Sequence, residues 1–225
     1  MSKRYNEIVK LIDQSKAYSI EEAVALVKQT SKVKFDASVE VHFKLGIDPK
    51  QTDQKVRTQV SLPHGTGKKV RVAAFVSAAK EKLAKEAGAD IVGSEELIKK
   101  IKETGKADFD VAVAEPAMMK NLAQIAKILG QKGLMPNPKT GTVGEDVASI
   151  IGELKAGRLD IKTDDTGVIH AVIGKVSHDD AKLLDNFKAL KDAIFKARPQ
   201  SVKKEFVRSI NLSSSMGPGI RVGNS

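Results

Sequence analysis

The chain has 225 residues, a formal net charge of +10 and a pI of about 9.6, and it contains no cysteine. Disulfides and thiolate metal sites are therefore excluded, and a chain of this length can bury a core without such cross-links. The excess of positive charge favours polyanionic partners, of which nucleic acid is the most abundant. No apolar run approaches the ~20 residues of a membrane span, and the start lacks the apolar stretch of a signal peptide. We therefore expect a cytoplasmic protein with no membrane contact.

The first part of the chain predicts two helices followed by two strands. The helices are expected over residues 3–14 and 19–29, and the second opens with Ser19-Ile20-Glu21-Glu22, which has the spacing of a capping box. Apolar and polar residues alternate strictly over residues 38–45, which predicts a strand with one buried face. Residues 56–62 alternate in the same way and predict a second strand, antiparallel to the first. A break containing proline and glycine follows at residues 63–67.

The middle of the chain, residues 68–158, follows a different pattern. Residues 70–76 form a nearly continuous apolar run, which is typical of a strand buried on both faces of a parallel sheet. Two further short strands are expected at residues 90–92 and 111–114. Helices are predicted at residues 77–87, 94–105, 116–130 and 145–156. Strands that alternate with helices through short links predict a small α/β domain with a parallel, Rossmann-like sheet.

The period-two alternation returns after Arg158. Residues 159–162 and 168–173 predict a hairpin around the turn at residues 164–167. Ser177 is expected to cap a long helix, which Pro199 follows. The predicted buried stripe of this helix consists of Leu183, Phe187, Leu190 and Ile194. A last strand is predicted at residues 206–212, and residues 220–222 can pair again.

Neither end of the chain has enough strands for a stable sheet of its own. We therefore expect residues 1–67 and 159–225 to join in one discontinuous α+β domain with an antiparallel sheet, into which the α/β domain of residues 68–158 is inserted. Glycines lie at both crossings, at Gly65, Gly67 and Gly157. They are compatible with a hinge between the domains and equally with purely local chain geometry, and the sequence leaves both interpretations open.

No catalytic or metal-binding motif is present. Gly67-Lys68 resembles the end of a phosphate-binding loop, but that motif requires glycine at Leu62 and a hydroxyl residue at Lys69. The first strand-to-helix link of the α/β part has no glycine fingerprint, which disfavours an enzyme that uses this domain to bind a nucleotide. None of the four histidines has metal-ligand spacing with another. We expect no enzymatic activity and no cofactor.

Two segments have an unusual composition. Lys34-Phe35 precedes the first strand, where an exposed aromatic beside a cation would suit RNA, although spacing alone favours a buried Phe35. Residues 213–219 combine three serines, Met216 and two glycines, which bring backbone amides and small donors close to a ligand. Such groups contact phosphate, sugar and 2′-hydroxyl well. The alternative for this second segment is a mobile tail.

The run Leu129-Gly130-Gln131-Lys132-Gly133-Leu134-Met135-Pro136 closely resembles the signature of the bacterial large-subunit ribosomal protein L-one family. Three further segments, at residues 34–36, 45–49 and 215–218, are also similar to that family. The resemblance covers the whole chain in order, with no large insertion. It implies a fold of two domains, the first of them discontinuous.

The resemblance also implies the partners. These are large-subunit ribosomal RNA at a mobile stalk, the transfer RNA that leaves the exit site beside it, and the messenger RNA of the protein's own operon, whose translation the family represses. A ribosomal protein of this kind is expected to be a monomer when free. The expected RNA-binding residues are Lys34, Phe35, Ser38, Lys162, His170, Ser209, Ser215, Met216 and Gly217. Relatives often have threonine at Ser215, which keeps the hydroxyl. Contacts by Lys132 and Lys139 are left open.

Overall fold

The computed structural model describes residues 3–13, 15–202 and 205–223, and for Thr52 and Lys139 it describes the backbone but not the side chain. The chain divides into two compact units. One unit, here called the terminal unit, consists of residues 1–68 and 157–225. The other, the inserted unit, consists of residues 69–156. Each has a hydrophobic core within its own residues.

The terminal unit contains three α-helices and six strands among the described residues. The helices are α1 (Lys3–Val9), α2 (Ile20–Thr30) and α8 (Asp180–Lys196). The strands are β1 (Ser38–Leu45), β2 (Arg57–Ser61), β6 (Arg158–Lys162), β7 (Val168–Lys175), β8 (Val207–Ser214) and β9 (Ile220–Val222). The capping box at Ser19 and the buried stripe of α8 are confirmed.

The main sheet of the terminal unit has the strand order β7-β1-β8-β9 and is antiparallel throughout. The side chains of β1 alternate between half-buried and buried along its whole length, as the sequence pattern predicted. The buried face packs against α2 and α8, with Phe43 of β1 stacked on Phe187 of α8 at 6.2 Å between ring centroids. The opposite face therefore carries the polar half of each strand.

Strand β2 does not join this sheet, and the expectation that it lies antiparallel beside β1 is wrong. Both edges of β1 are already paired, with β7 and with β8. Strand β2 pairs instead with β6 in a separate two-stranded sheet. The predicted hairpin of residues 159–173 is consequently reduced to its turn, with a single bridge between Thr163 and Ile169.

The two crossings to the inserted unit lie side by side on the terminal unit. Ser61, at the end of β2, pairs with Arg158, at the start of β6. Gly157 has a φ of +103°, and a Cβ there would lie 2.5 Å from the Cα of Gly65. Glycine is thus required at Gly157 both by conformation and by close approach of the backbone.

The inserted unit is built on a parallel sheet with the strand order β4-β3-β5. Its strands are β3 (Val72–Phe75), β4 (Ile91–Gly93) and β5 (Val111–Ala114). Its α-helices are α3 (Glu81–Glu86), α4 (Glu95–Thr104), α5 (Met119–Leu122), α6 (Ala126–Gln131) and α7 (Val147–Lys155). Every residue of β3 is buried, and its side chains divide alternately between two cores, which confirms the predicted burial on both faces.

Several helix boundaries differ from the prediction. The first helix ends at Val9, and Gln14 lies outside the described residues. The segment predicted as one helix over residues 116–130 is broken by 3-10 turns at Pro116–Met118 and Ala123–Ile125, and a 3-10 turn also precedes α3. Ser177 does not cap α8, which begins three residues later, because its hydroxyl donates to Asp36 at 2.8 Å. No described helix is long and apolar enough to cross a membrane.

Candidate nucleic-acid interface

The end of β8 turns sharply at Ser214–Gly217. The amide of Gly217 donates to the carbonyl oxygen of Ser214 at 2.8 Å. Met216 is the only non-glycine residue with positive φ in the described part of the chain, at +66°, and 70% of it is exposed. A Cβ at Gly217 would lie 2.3 Å from the Ser214 hydroxyl oxygen. The turn therefore leaves little room for a side chain at Gly217 and holds Met216 out into solvent.

The segment before β1 lies against this turn. The Ser215 amide donates to the carbonyl oxygen of Ser38 at 2.9 Å, and the Ser38 amide donates to the Ser215 hydroxyl at 3.3 Å. This pair extends the β1–β8 ladder and brings two segments from opposite ends of the sequence to one end of the sheet. Lys34 and Phe35 are exposed there, Phe35 to 55%. The interpretation of Phe35 as a core residue is therefore wrong.

Side chains from β7 and from the link to α8 fix the same segment. Lys175 donates through Nζ to the Ser38 hydroxyl at 2.9 Å. The carboxylate of Asp36 accepts from the amide and the hydroxyl of Ser177 at 3.2 and 2.8 Å. These contacts anchor the chain directly after Phe35, so its ring is presented next to a held segment.

Glu40 of β1 is a member of this region that the sequence did not suggest. The Ser215 hydroxyl donates to its carboxylate at 3.4 Å. A carboxylate accepts hydrogen bonds and repels phosphate, so at a nucleic-acid surface it suits the hydroxyl groups of sugars and the amino groups of bases. The regular alternation of polar residues along β1 offered no signal that would have distinguished Glu40 from its neighbours.

The polar face of the main sheet continues from this end. His42 of β1 is opposite His170 of β7 and Asn211 of β8, and Lys44 is opposite Ser209. The Nδ1 atoms of the two histidines are 2.8 Å apart, so the N–H of one ring donates a hydrogen bond to the nitrogen of the other. His42 Nε2 is 3.0 Å from the Ser213 hydroxyl oxygen. His170 and Ser209 thus share the sheet with Ser38 and Ser215.

Lys162 and the two lysines left open, Lys132 and Lys139, lie elsewhere. Lys162 is on β6 in the two-stranded sheet, opposite Arg57, and the structure does not place it on the four-stranded sheet. Lys132 is exposed on the inserted unit, and the side chain of Lys139 lies outside the described residues. The structure therefore brings together Lys34, Phe35, Ser38, Ser215, Met216 and Gly217 at one end of the sheet.

Burial is the main cause that lowers the pKa of His42 below its usual value of 6.5, and the positive charge of His170 lowers it further, while Glu40 opposes the shift. Around the pair lie Glu40 and Lys44 on β1 and Asp164, whose carboxylate is 3.4 Å from His170 Nε2. The unfolded chain binds a proton at His42 at a higher pH than the folded chain does. The favourable contribution of neutral His42 to the free energy of unfolding is therefore complete above about pH 6.5. It is lost as the pH falls below that value.

We accordingly expect the free energy of unfolding of the wild-type chain to fall between pH 7.5 and 5.5 by more than that of His42→Gln. Urea unfolding at several pH values, monitored by circular dichroism, measures both. The carboxylates contribute to both proteins, so the difference between them isolates His42. A difference that does not vary with pH would rule out this contribution.

The strand ends of the parallel sheet, where a nucleotide would bind in an open α/β sheet, are occupied by an ion pair. Glu115, directly after β5, accepts from the amide of Ser77, the second residue after β3, at 3.1 Å. Lys80 lies 2.9 Å from the same carboxylate, and its ammonium, the largest cause, lowers the pKa of Glu115. A carboxylate thus takes the amide that a phosphate would require, which disfavours a nucleotide site. No cluster of metal-binding side chains is found among the described residues.

A family model and two similar proteins relate the chain to the same family. The model of the Ribosomal protein L1p/L10e family matches residues 27–218. A protein of Fervidobacterium nodosum named large ribosomal subunit protein uL1 is 50% identical over 221 residues, which cover 98% of this chain and 94% of the relative. A protein of the same name from Thermosipho melanesiensis is 49% identical, with 98% and 95% of the two chains covered. The chain belongs to the ribosomal protein L1p/L10e family.

Proposed function

We propose that the chain is a structural, non-enzymatic protein of the large ribosomal subunit, in the cytoplasm, and that its terminal unit binds ribosomal RNA. The observation that carries the proposal is the pairing of Ser38 with Ser215, which unites the segment of Phe35 with the turn of Met216. Membership of the family and relatives that are named as large-subunit proteins support it. The proposed binding involves no cofactor.

The chemistry of this surface suits folded RNA. The exposed ring of Phe35 and the exposed thioether of Met216 offer apolar contact to a base or a ribose. The cation of Lys34 and the ammonium of Lys175 serve phosphates, while serine hydroxyls and Glu40 serve 2′-hydroxyls. A held backbone with a few exposed apolar groups recognises the shape of an RNA better than a long sequence of bases.

Two finer functions follow from the family resemblance and remain proposals. The first is participation in the release of transfer RNA from the exit site, and the second is repression of the protein's own operon messenger. If the messenger imitates the ribosomal site, both RNAs meet the same residues. Variants of Met216 or Phe35 should then weaken binding to both RNAs by the same factor.

The proposed domain assignment gives RNA binding to residues 1–67 with 159–225. A chain that joins these two segments through a short flexible linker should keep most of the affinity of the full chain for large-subunit ribosomal RNA. The reason is that all six residues gathered at the sheet end belong to the terminal unit. Filter binding of transcribed ribosomal RNA measures the affinities of the joined chain, of residues 68–158 alone and of the full chain.

Circular dichroism of the joined chain is the control, because the comparison requires a folded protein. Binding by residues 68–158 together with no binding by a folded joined chain would overturn the assignment. The salt dependence gives a second measure, since each phosphate contact adds roughly −0.7 to −0.9 to the slope of log affinity against log salt. The joined chain should retain most of the slope of the full chain.

A further inference from the structure

Arg4 joins the two segments of the proposed RNA surface. Its guanidinium donates through Nη2 to the carbonyl oxygen of Met216 at 3.2 Å and through Nη1 to the carbonyl oxygen of Lys32 at 3.4 Å. Lys32 begins the segment that carries Phe35, and Met216 is 212 residues away from Arg4 in the sequence. A single side chain of α1 thus bridges the start of the first segment and the tip of the turn.

The hydrogen bonds fix one peptide unit at both ends. The carbonyl of the Met216–Gly217 peptide accepts from Arg4, and its amide donates to the carbonyl of Ser214 at 2.8 Å. Because a peptide unit is planar, holding both ends fixes its orientation. The left-handed conformation of Met216 disfavours this arrangement by roughly 1–2 kcal/mol, a figure typical of non-glycine residues. The exposed Met216 side chain packs little, so the turn depends on these hydrogen bonds.

We propose that Arg4 is a positioning residue of the RNA surface, which acts by holding the Met216–Gly217 peptide against the Phe35 segment. This inference rests on the proposed function and deepens it. Arginine suits the role because its planar fork directs several N–H groups at once, whereas the ammonium of lysine is a compact point charge. If Arg4 acted only through its positive charge, a lysine at this position would bind RNA equally well. The substitution Arg4→Lys therefore separates positioning from charge attraction.

The test compares Arg4→Lys, Arg4→Gln and the control Lys3→Gln, which removes a charge from the exposed neighbouring position of the same helix. We expect Arg4→Lys to bind transcribed large-subunit ribosomal RNA on the order of tenfold more weakly, with an unchanged salt slope, because the charge remains while the fork is lost. Arg4→Gln should bind at least as weakly. Lys3→Gln should lose at most the affinity of one phosphate contact, together with a change in the slope of at most about 0.9.

Amide hydrogen exchange supplies a readout that does not depend on RNA. The Gly217 amide should exchange faster in Arg4→Lys than in the wild type or in Lys3→Gln, while the melting temperature stays the same. An Arg4→Lys protein that binds RNA as the wild type does, or that leaves Gly217 exchange unchanged, would overturn the positioning role.

The failure of this inference can be distinguished from that of the proposed function with Met216→Asp. If Met216→Asp loses affinity and Arg4→Lys does not, only the role of Arg4 is wrong. If neither variant loses affinity, the turn is not at the RNA surface, and both proposals fall.

Discussion

Replacement of Met216 by aspartate should weaken binding to large-subunit ribosomal RNA by about 2 kcal/mol or more, roughly thirtyfold. The carboxylate would replace an exposed apolar side chain at the tip of the turn and would be buried, without a partner, beside phosphate. The fold should remain intact, because Met216 is 70% exposed and aspartate tolerates the left-handed conformation better than methionine does. The loss can therefore be assigned to the interface.

The measurement is a filter-binding titration at fixed salt, with Leu83→Asp as the matched control. Leu83 is 56% exposed and lies on the inserted unit, so the control makes the same chemical change to an exposed apolar residue away from the proposed surface. Leu83→Asp should bind as the wild type does. Equal affinities of the two variants would show that the turn is not in contact with the RNA.

Replacement of Asn186 by leucine should lower the free energy of unfolding by about 3 kcal/mol, because leaving buried polar groups unpaired costs roughly 1–3 kcal/mol each. The Asn186 side chain is fully buried in α8. Its amide nitrogen donates to the carbonyls of Ile173 at 2.7 Å and Gly65 at 2.9 Å, and its oxygen accepts from the amide of His64 at 3.1 Å. Leucine has a similar volume and satisfies none of these three groups.

Urea unfolding monitored by circular dichroism measures this loss, and Asp192→Leu is the control. Asp192 is exposed on the same helix, so leucine there tests only the effect of the new side chain. The control should change the stability by less than about 0.5 kcal/mol. An Asn186→Leu protein as stable as the wild type would mean that water satisfies the three backbone groups once the side chain is lost.

Asn186 also holds the backbone at Gly65, in the first crossing to the inserted unit. Gly65 lies next to Gly157, where a Cβ would meet its Cα at 2.5 Å. Asn186 therefore ties the first crossing to α8 and β7 through hydrogen bonds. From the sequence, Asn186 was an ordinary polar residue inside a helical stripe, and no local pattern indicated three backbone partners distant in sequence.

The sequence predicted the elements well wherever one local pattern dominates. The alternation of residues 38–45 defines β1, the continuous apolar run around Val72–Phe75 defines a strand buried on both faces, and the stripe on α8 is buried as expected. Strand patterns repeat every two residues and helix patterns every three or four. They are therefore visible in the sequence without a tertiary structure. The family resemblance was likewise carried by a contiguous run.

The boundaries and the pairing of strands were less predictable. Serine is a residue type that commonly caps helices, yet the Ser177 hydroxyl donates to Asp36 instead. The segment of residues 116–130 has helical composition but contains two 3-10 turns. Strand β2 alternates as β1 does, but pairs with β6 because both edges of β1 are taken. Competition between partners for one strand edge is a property of the whole fold.

By itself, the sequence determined the type of most elements and the family. Only the tertiary structure decided that Phe35 is exposed, that His42 meets His170, and that Arg4 holds the carbonyl of Met216. The physical reason is the distance along the sequence between the residues in contact. Periodicity reports which face of an element is buried, whereas these contacts join residues up to 212 positions apart, and their geometry exists only once the sheet has assembled.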